Sequence, residues 1–179
     1  YILFTMKKVK VIGVYVIFVL SFLSHFMYDL FPNFIFSILF PVNESIWEHM
    51  KLIYFPMLIY ALIQSQFFKD CDNFWCVKLI GILTGLSLIP ILFYTLNGVL
   101  GKTPDFINIA IFFVAAAVAF FIENYLFKTG NSQCCYNKFA IFIIIFIGSL
   151  FILFTFIPPQ IPLCLLPIST WLLFPALCR

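Results

Sequence analysis

Mainly apolar stretches, each about 20 residues long, follow one another along this chain of 179 residues with only short polar interruptions. A helix of that length crosses the hydrocarbon core of a bilayer. Only 9% of the residues are charged, whereas soluble domains contain about 25%. Lipid solvates apolar side chains on every face of a helix and water does not. The sequence therefore predicts an integral membrane protein and excludes an ordinary soluble domain.

The predicted fold is all-α, a polytopic transmembrane helical bundle of about five spans in a single integral membrane domain, residues 1–179. The predicted spans are residues 9–29, 43–67, 75–96, 106–127 and 139–157. Pro158 and Pro159 end the last span, because neither can donate a helical hydrogen bond. Residues 160–179 are apolar but interrupted by prolines, so a sixth span, a re-entrant hairpin and an interfacial segment all stay open.

Lysines fall mainly on one side of this predicted bundle. With a cytoplasmic N terminus, the inner side holds Lys7, Lys8, Lys10, Lys69, Lys78, Lys128 and Lys138, and the outer side holds Lys51 and Lys102. Cytoplasmic loops carry an excess of Lys and Arg. We therefore predict a multi-pass protein of the cell membrane with its N terminus in the cytoplasm.

A polar cluster at residues 41–51 interrupts the apolar pattern with the string Pro-Val-Asn-Glu-Ser-Ile-Trp-Glu-His-Met-Lys. The predicted orientation places it at the outer ends of the helices, beside the loop at residues 97–105 and the proline pair after the last span. Ionisable groups at membrane depth are candidates for function. The candidate polar site comprises His25, Asp29, Asn43, Glu44, Trp47, Glu48, His49 and Lys51.

Two histidines and several carboxylates come within reach of one another in this arrangement. Ser21, His25 and Asp29 recur every four residues and so share one helix face. If the first two helices are antiparallel neighbours, this face can approach the cluster. Imidazoles and carboxylates bind divalent metals such as zinc and act as acids and bases. The candidate metal ligands are His25, His49, Glu44 and Glu48.

Helix capping explains much of the same cluster. Ser45 and Glu48 have the spacing of a capping box, and Asn43 is itself a good N-cap. Trp47 is typical of the aromatic belt at a membrane surface, and Lys51 can pair with Glu48 or extend outward.

Three functions stay open on these residues. The first is an outward-facing site for a small ligand, a lipid headgroup or a protein partner, or a site related to transport. The second is a metal-dependent membrane-embedded hydrolase, and the third is capping alone, so the sequence does not decide whether the protein is an enzyme. No cofactor is predicted beyond that divalent metal. The lipid bilayer is the expected partner and nucleic acid is not; a membrane protein partner or a homo-oligomer stays open.

Four cysteines fall in the two predicted inner loops: Cys71, Cys76, Cys134 and Cys135. Their spacing matches structural zinc sites poorly, and the cytoplasm is reducing. We expect ordinary reduced thiols there.

The residues also carry a resemblance to a family of small bacterial multi-pass membrane proteins that is catalogued only as a domain of unknown function. The resemblance extends to about Leu163 and implies a compact helical bundle without an established activity. Its strings are Ser24-His25-Phe26-Met27-Tyr28-Asp29, Phe40-Pro41-Val42-Asn43-Glu44-Ser45-Ile46-Trp47-Glu48-His49-Met50-Lys51-Leu52, Phe55-Pro56-Met57-Leu58, and Phe154-Thr155-Phe156-Ile157-Pro158-Pro159-Gln160-Ile161-Pro162-Leu163. The chain departs from this family after Leu163, where an apolar tail replaces a short polar one.

A second similarity, of the Ser21 to His25 spacing, is to intramembrane zinc hydrolases of the ceramidase type. This chain lacks the distant His-x-x-x-His pair that those enzymes need.

Overall fold

The computed structural model describes residues 15, 18–24, 27–68, 73–101, 104–129, 137–161 and 163–164. Its helices there are α1 (Phe34–Leu39), α2 (Ile46–Ser65), α3 (Phe74–Leu100), α4 (Asp105–Thr129) and α5 (Asn137–Phe156). Residues 18–24 and 27–30 are also helical, and we call them the N-terminal helical segment. No strand occurs in these ranges, so the predicted all-α helical bundle is confirmed.

Four helices in the described ranges are long and apolar enough to cross a membrane. They are Ile46–Ser65, Phe74–Leu100, Phe106–Thr129 and Asn137–Phe156. These features indicate a membrane protein. The first predicted span, residues 9–29, lies only partly within the described ranges, and of residues 160–179 the structure describes 160–161 and 163–164.

The third predicted helix is longer than its sequence indicated. It runs on through Asn97 and Gly98 to Leu100, where a loop was expected, and ends at Gly101 with φ +75°. The Asn97 side-chain amide donates to the Phe93 carbonyl 2.8 Å away, one turn back in the same helix. One glycine costs a helix only about 1 kcal/mol, so Gly98 does not end an otherwise apolar helix. The positive φ at Gly101, a backbone conformation that favours glycine, does end it.

Helix α3 lies at the centre of the bundle and packs against α2, α4 and α5. Small residues let α3 and α4 approach closely: Ala115, Ala116 and Ala119 are fully buried. A Cβ added to Gly85 would lie 2.9 Å from the Ile53 Cδ1 atom of α2. Small residues at such contacts bring helix backbones together.

The N-terminal helical segment and α1 pack near the start of α2 and the end of α5. The buried Ser21 hydroxyl donates to the Leu52 carbonyl of α2 over 2.6 Å. Helix α1 contacts α5, and the Phe34 and Phe156 rings stack with centroids 5.2 Å apart. Residues 34–45 therefore lie beside both the start of α2 and the end of α5. We call this the cluster end of the bundle.

Candidate functional site

Helix α2 begins with a double cap. Ser45 is the N-cap, and its hydroxyl accepts from the Glu48 backbone N–H over 3.3 Å. The Ser45 N–H in turn donates to the Asn43 Oδ1 atom over 2.9 Å. Helix starts leave backbone N–H groups without helical partners, and these two side chains satisfy two donors at this start. The first half of the predicted capping box is therefore present.

The second half of the box is replaced by a different contact. Glu48 does not reach back to the Ser45 N–H; its Oε2 atom accepts from the Val42 N–H over 3.1 Å. The same Oε2 atom lies 2.7 Å from the Lys51 Nζ atom, and Oε1 accepts from the Thr155 hydroxyl of α5 over 3.0 Å. Glu48 thus joins α2 to the segment that precedes it, through Val42, and to α5, through Thr155.

Lys51 is fully enclosed, with its side chain 0% exposed and that of Glu48 3% exposed. An ammonium group has three donors. Those of Lys51 reach the Ser37 carbonyl of α1 at 3.1 Å, Glu48 at 2.7 Å and the Thr155 hydroxyl at 2.5 Å. All three donors are used within the bundle. We call Glu48 and Lys51 the sealed pair.

Glu44 and His49 form a second pair that faces outward. The His49 Nε2 and Glu44 Oε2 atoms are 3.2 Å apart, and their side chains are 30% and 62% exposed. The His49 Nδ1 atom lies 3.0 Å from the Ser45 carbonyl, so Nδ1 carries a proton and donates there. Nε2 then donates to Glu44 only when the ring holds a second proton. We call Glu44 and His49 the open pair.

Glu44, Glu48 and Lys51 have the spacing of residues on one helix face, and the structure divides them. Glu44 precedes the N-cap, so it does not follow the helical stripe that joins Glu48 to Lys51. It contacts His49 instead.

Trp47 packs between the start of α2 and the end of α5. Its ring centroid lies 4.7 Å from that of Phe151 and 5.1 Å from that of Phe154. Its backbone N–H donates to the Leu163 carbonyl over 2.9 Å, so the chain after α5 returns to the start of α2. No sequence signal pointed to this return.

The remaining predicted site residues lie in the N-terminal helical segment or outside the described ranges. Asp29 is exposed, and His25 lies outside the described residues. Within those residues, no group of three or more His, Cys, Asp or Glu side chains is arranged to hold a metal ion. A metal that used Glu48 would also have to displace Lys51 from its carboxylate.

A second buried ion pair lies near the opposite end of the bundle, and sequence reasoning missed it. Lys78 of α3, which the sequence analysis counted among the inner-side charges, lies 2.5 Å from Glu123 of α4, and both side chains are buried. A signal was present: each residue falls within an apolar helix about a turn or two from its end, where a charge needs a partner.

Among the predicted inner-loop cysteines the structure describes only Cys76, which is disulfide-bonded. The expectation of reduced thiols is therefore wrong at Cys76. Cys71, Cys134 and Cys135 lie outside those residues. Cys164, beside Leu163 at the cluster end, is a free cysteine.

A model of a family of unknown function, DUF6512, matches residues 2–171. No curated protein and no solved structure matches the chain.

Proposed function

We propose a function from geometry for this chain, which belongs to DUF6512, a family of unknown function. The protein is a multi-pass component of the cell membrane whose open pair, Glu44 and His49, binds the polar headgroup of a phospholipid. The sealed pair, Glu48 and Lys51, serves as the rigid support for that site. The observation that carries the proposal is the contrast between these two pairs in exposure.

Charge supports an orientation with the N terminus in the cytoplasm and the cluster end outside. Lys51 and Lys78 are buried in ion pairs. We therefore leave both out of the positive-inside rule, which compares the Lys and Arg residues on the two sides of the membrane. The remaining inner lysines still outnumber the outer one, Lys102. An excess of positive charge marks the cytoplasmic side.

The disulfide at Cys76 points the other way, because disulfides are typical of oxidising compartments. We give the charges more weight, since they set the orientation of most membrane proteins, and cytosolic disulfides occur in proteins that sense or use redox changes. Labelling of Cys164 from outside the cell decides between the two orientations.

The chemistry of the open pair suits a zwitterionic headgroup. The Glu44 carboxylate accepts hydrogen bonds from an ammonium group. When Glu44 turns to that group, the Nε2–H of a doubly protonated His49 is released and donates to a phosphate oxygen, while the Nδ1–H stays on the Ser45 carbonyl. Both residues lie at the start of α2, where a membrane-crossing helix meets the headgroup layer. The helix dipole there adds partial positive charge, which favours the phosphate.

The bilayer is the expected partner for the rest of the surface. Helix α5 carries exposed Phe139, Phe142, Ile145 and Phe146, which water would solvate poorly and acyl chains solvate well.

Native mass spectrometry of the purified protein with short-chain phosphatidylethanolamine tests the proposal. We expect one bound lipid per chain, lost in Glu44→Gln and in His49→Ala. Ser149→Ala is the matched control, because the exposed Ser149 hydroxyl bonds only to its own helix, and this variant should bind as the wild type does.

Two other outcomes would overturn the proposal. Stoichiometric zinc in the purified protein, lost in His25→Ala and His49→Ala, would establish a metal site and favour the membrane-embedded hydrolase. Binding of neither lipid nor metal, with the fold intact, would leave helix capping as the role of the cluster.

A further inference from the structure

The Lys78 and Glu123 pair has no part in the proposed headgroup site. Lys78 is 1% exposed and Glu123 is 3% exposed. The Lys78 ammonium also lies over three aromatic rings, 5.2 Å from the Tyr60 centroid, 5.7 Å from Phe127 and 5.8 Å from Phe74. Such distances allow cation–π attraction. Helices α2, α3 and α4 therefore all contribute to the surroundings of this one charge.

The helix backbone makes room for the carboxylate. A Cβ atom added to Gly81 of α3 would overlap the Glu123 side chain, both its Cγ and its Oε1 atoms. Any larger residue at Gly81 would push Glu123 away from Lys78. The glycine thus creates the space in which this pair lies.

Gln64 brings a polar group with an unmet hydrogen bond to the same place. Its Nε2 atom donates to the Tyr60 hydroxyl over 2.8 Å. Its Oε1 atom is buried and has no hydrogen-bond partner among the described residues, and the whole residue is 2% exposed. Rotating the amide by half a turn would only move the deficit from the oxygen to the nitrogen. A buried amide atom without a hydrogen-bond partner lowers the stability of the fold. We therefore expect a bound molecule that donates a hydrogen bond to Gln64.

A cavity of about 10 Å³ lies at this point. Its lining residues are Tyr60, Gln64, Lys78, Phe120, Glu123, Asn124 and Phe127. A space of about 10–15 Å³ holds one water molecule, provided that polar partners surround it. The cavity meets both conditions for one water molecule.

We propose that this cavity binds one ordered water molecule. The water donates one hydrogen to Gln64 and the other to the Glu123 carboxylate, and it accepts from the Lys78 ammonium. Buried waters in proteins make about three hydrogen bonds, the number assigned here. The water links α2 to the charged pair on α3 and α4, and it lowers the desolvation cost of keeping both groups ionised.

A high-resolution crystal structure of the full chain tests the assignment. We expect one water peak within hydrogen-bond distance of Gln64 and Glu123. In Gln64→Met an apolar side chain of similar length removes a partner, so the peak should disappear. Gln66→Met is the control, because Gln66 is exposed at the end of α2, and there the peak should stay.

Absence of the peak in the wild type would overturn the proposal, as would its persistence in Gln64→Met. A metal ion in place of water, identified by anomalous scattering from rubidium or thallium soaks, would overturn it as well. Gln64→Glu keeps an oxygen acceptor and should retain the peak. That variant and the wild type decide the matter if Gln64→Met does not fold.

Discussion

At the scale of single residues, Lys51 shows what a buried cation needs inside an apolar bundle. Each of its three donors has an acceptor, and each acceptor belongs to a different segment of the chain. The buried Glu48 carboxylate is compensated by the Lys51 charge. Removing Lys51 would leave that carboxylate charged and unpaired inside the bundle, which is strongly destabilising.

Lys51→Met should therefore lower the free energy of unfolding by about 3–5 kcal/mol, because it leaves the Glu48 charge buried and unpaired. The double variant Glu48→Gln with Lys51→Met removes both charges and should lose much less. Thermal unfolding in detergent gives both values. Equal losses in the single and double variants would show that the charge pairing does not govern stability here.

Gly81 supplies a second prediction at this scale. In Gly81→Ala the new methyl group overlaps Glu123, so we expect a loss of about 1–3 kcal/mol. Gly98 is the matched control in the same helix, since a Cβ there meets no atom within 4 Å. Gly98→Ala should raise stability by about 1 kcal/mol through helix propensity. The two unfolding midpoints should move in opposite directions. A shift in the same direction would contradict the inference that Gly81 leaves the space for the Glu123 side chain.

At the scale of helices, Thr155 shows how α5 is attached to α2. Its hydroxyl accepts from Lys51 and has one hydrogen, for which the Glu48 carboxylate and the Phe151 carbonyl compete. Many helical threonines bond only to their own helix, and this one also joins a partner helix. The polar attachment of α5 to α2 therefore depends on the single hydroxyl group of Thr155 and its contacts with Lys51 and Glu48.

Thr155→Val should cost about 1–3 kcal/mol, because Lys51 and Glu48 each lose a buried partner. Thr84→Val makes the same chemical change on α3, where the Thr84 hydroxyl donates to the Ile80 carbonyl of its own helix. It should change stability by no more than about 0.5 kcal/mol. Denaturation of both variants under one condition measures the difference, and similar values would show that Thr155 does not join the helices.

The predictable part of the fold was the existence of the helices, because runs of apolar residues mark them directly. The pairing between helices was not predictable, since these helices are apolar on every side and the pattern does not show which face turns inward. Thr155 lies far along the chain from Glu48, and nothing local marks it as a partner. Within the cluster, the spacing of Ser45 and Glu48 matched a capping box. The Glu48 carboxylate, however, accepts from the Val42 N–H and not, as a capping box requires, from the Ser45 N–H.

At the scale of the whole molecule, the orientation in the membrane determines which solution the open pair meets. Cys164 reports on it, because this free thiol lies at the cluster end. Burial raises the pKa of the Cys164 thiol above its ordinary value, and the nearby negative charge of Glu48 adds to the shift.

In a Cys178→Ser background, which removes the other cysteine of the C-terminal segment, a membrane-impermeant maleimide added to intact cells should label the chain with Cys164 and not the chain with Cys164→Ser. The thiolate is the reactive form, and a raised pKa keeps its fraction small near neutrality. Labelling should therefore be slow at pH 7 and accelerate as the pH rises. Labelling of Cys164 only after the membrane is permeabilised would reverse the proposed orientation.

The central claim is that one polar cluster holds a sealed structural pair and an open binding pair. Thermal unfolding of the double variant Glu44→Gln with His49→Ala, with and without short-chain phosphatidylethanolamine, tests it most directly. A ligand at a hundred times its Kd stabilises a protein by about 2.7 kcal/mol, so the wild-type midpoint should rise with lipid. We predict that the variant without lipid loses no more than about 1.5 kcal/mol, the value of the lost His49 hydrogen bond, and that its midpoint does not rise with lipid. A loss without lipid as large as the about 3–5 kcal/mol of a broken buried pair, or an undiminished rise with lipid, would contradict the account.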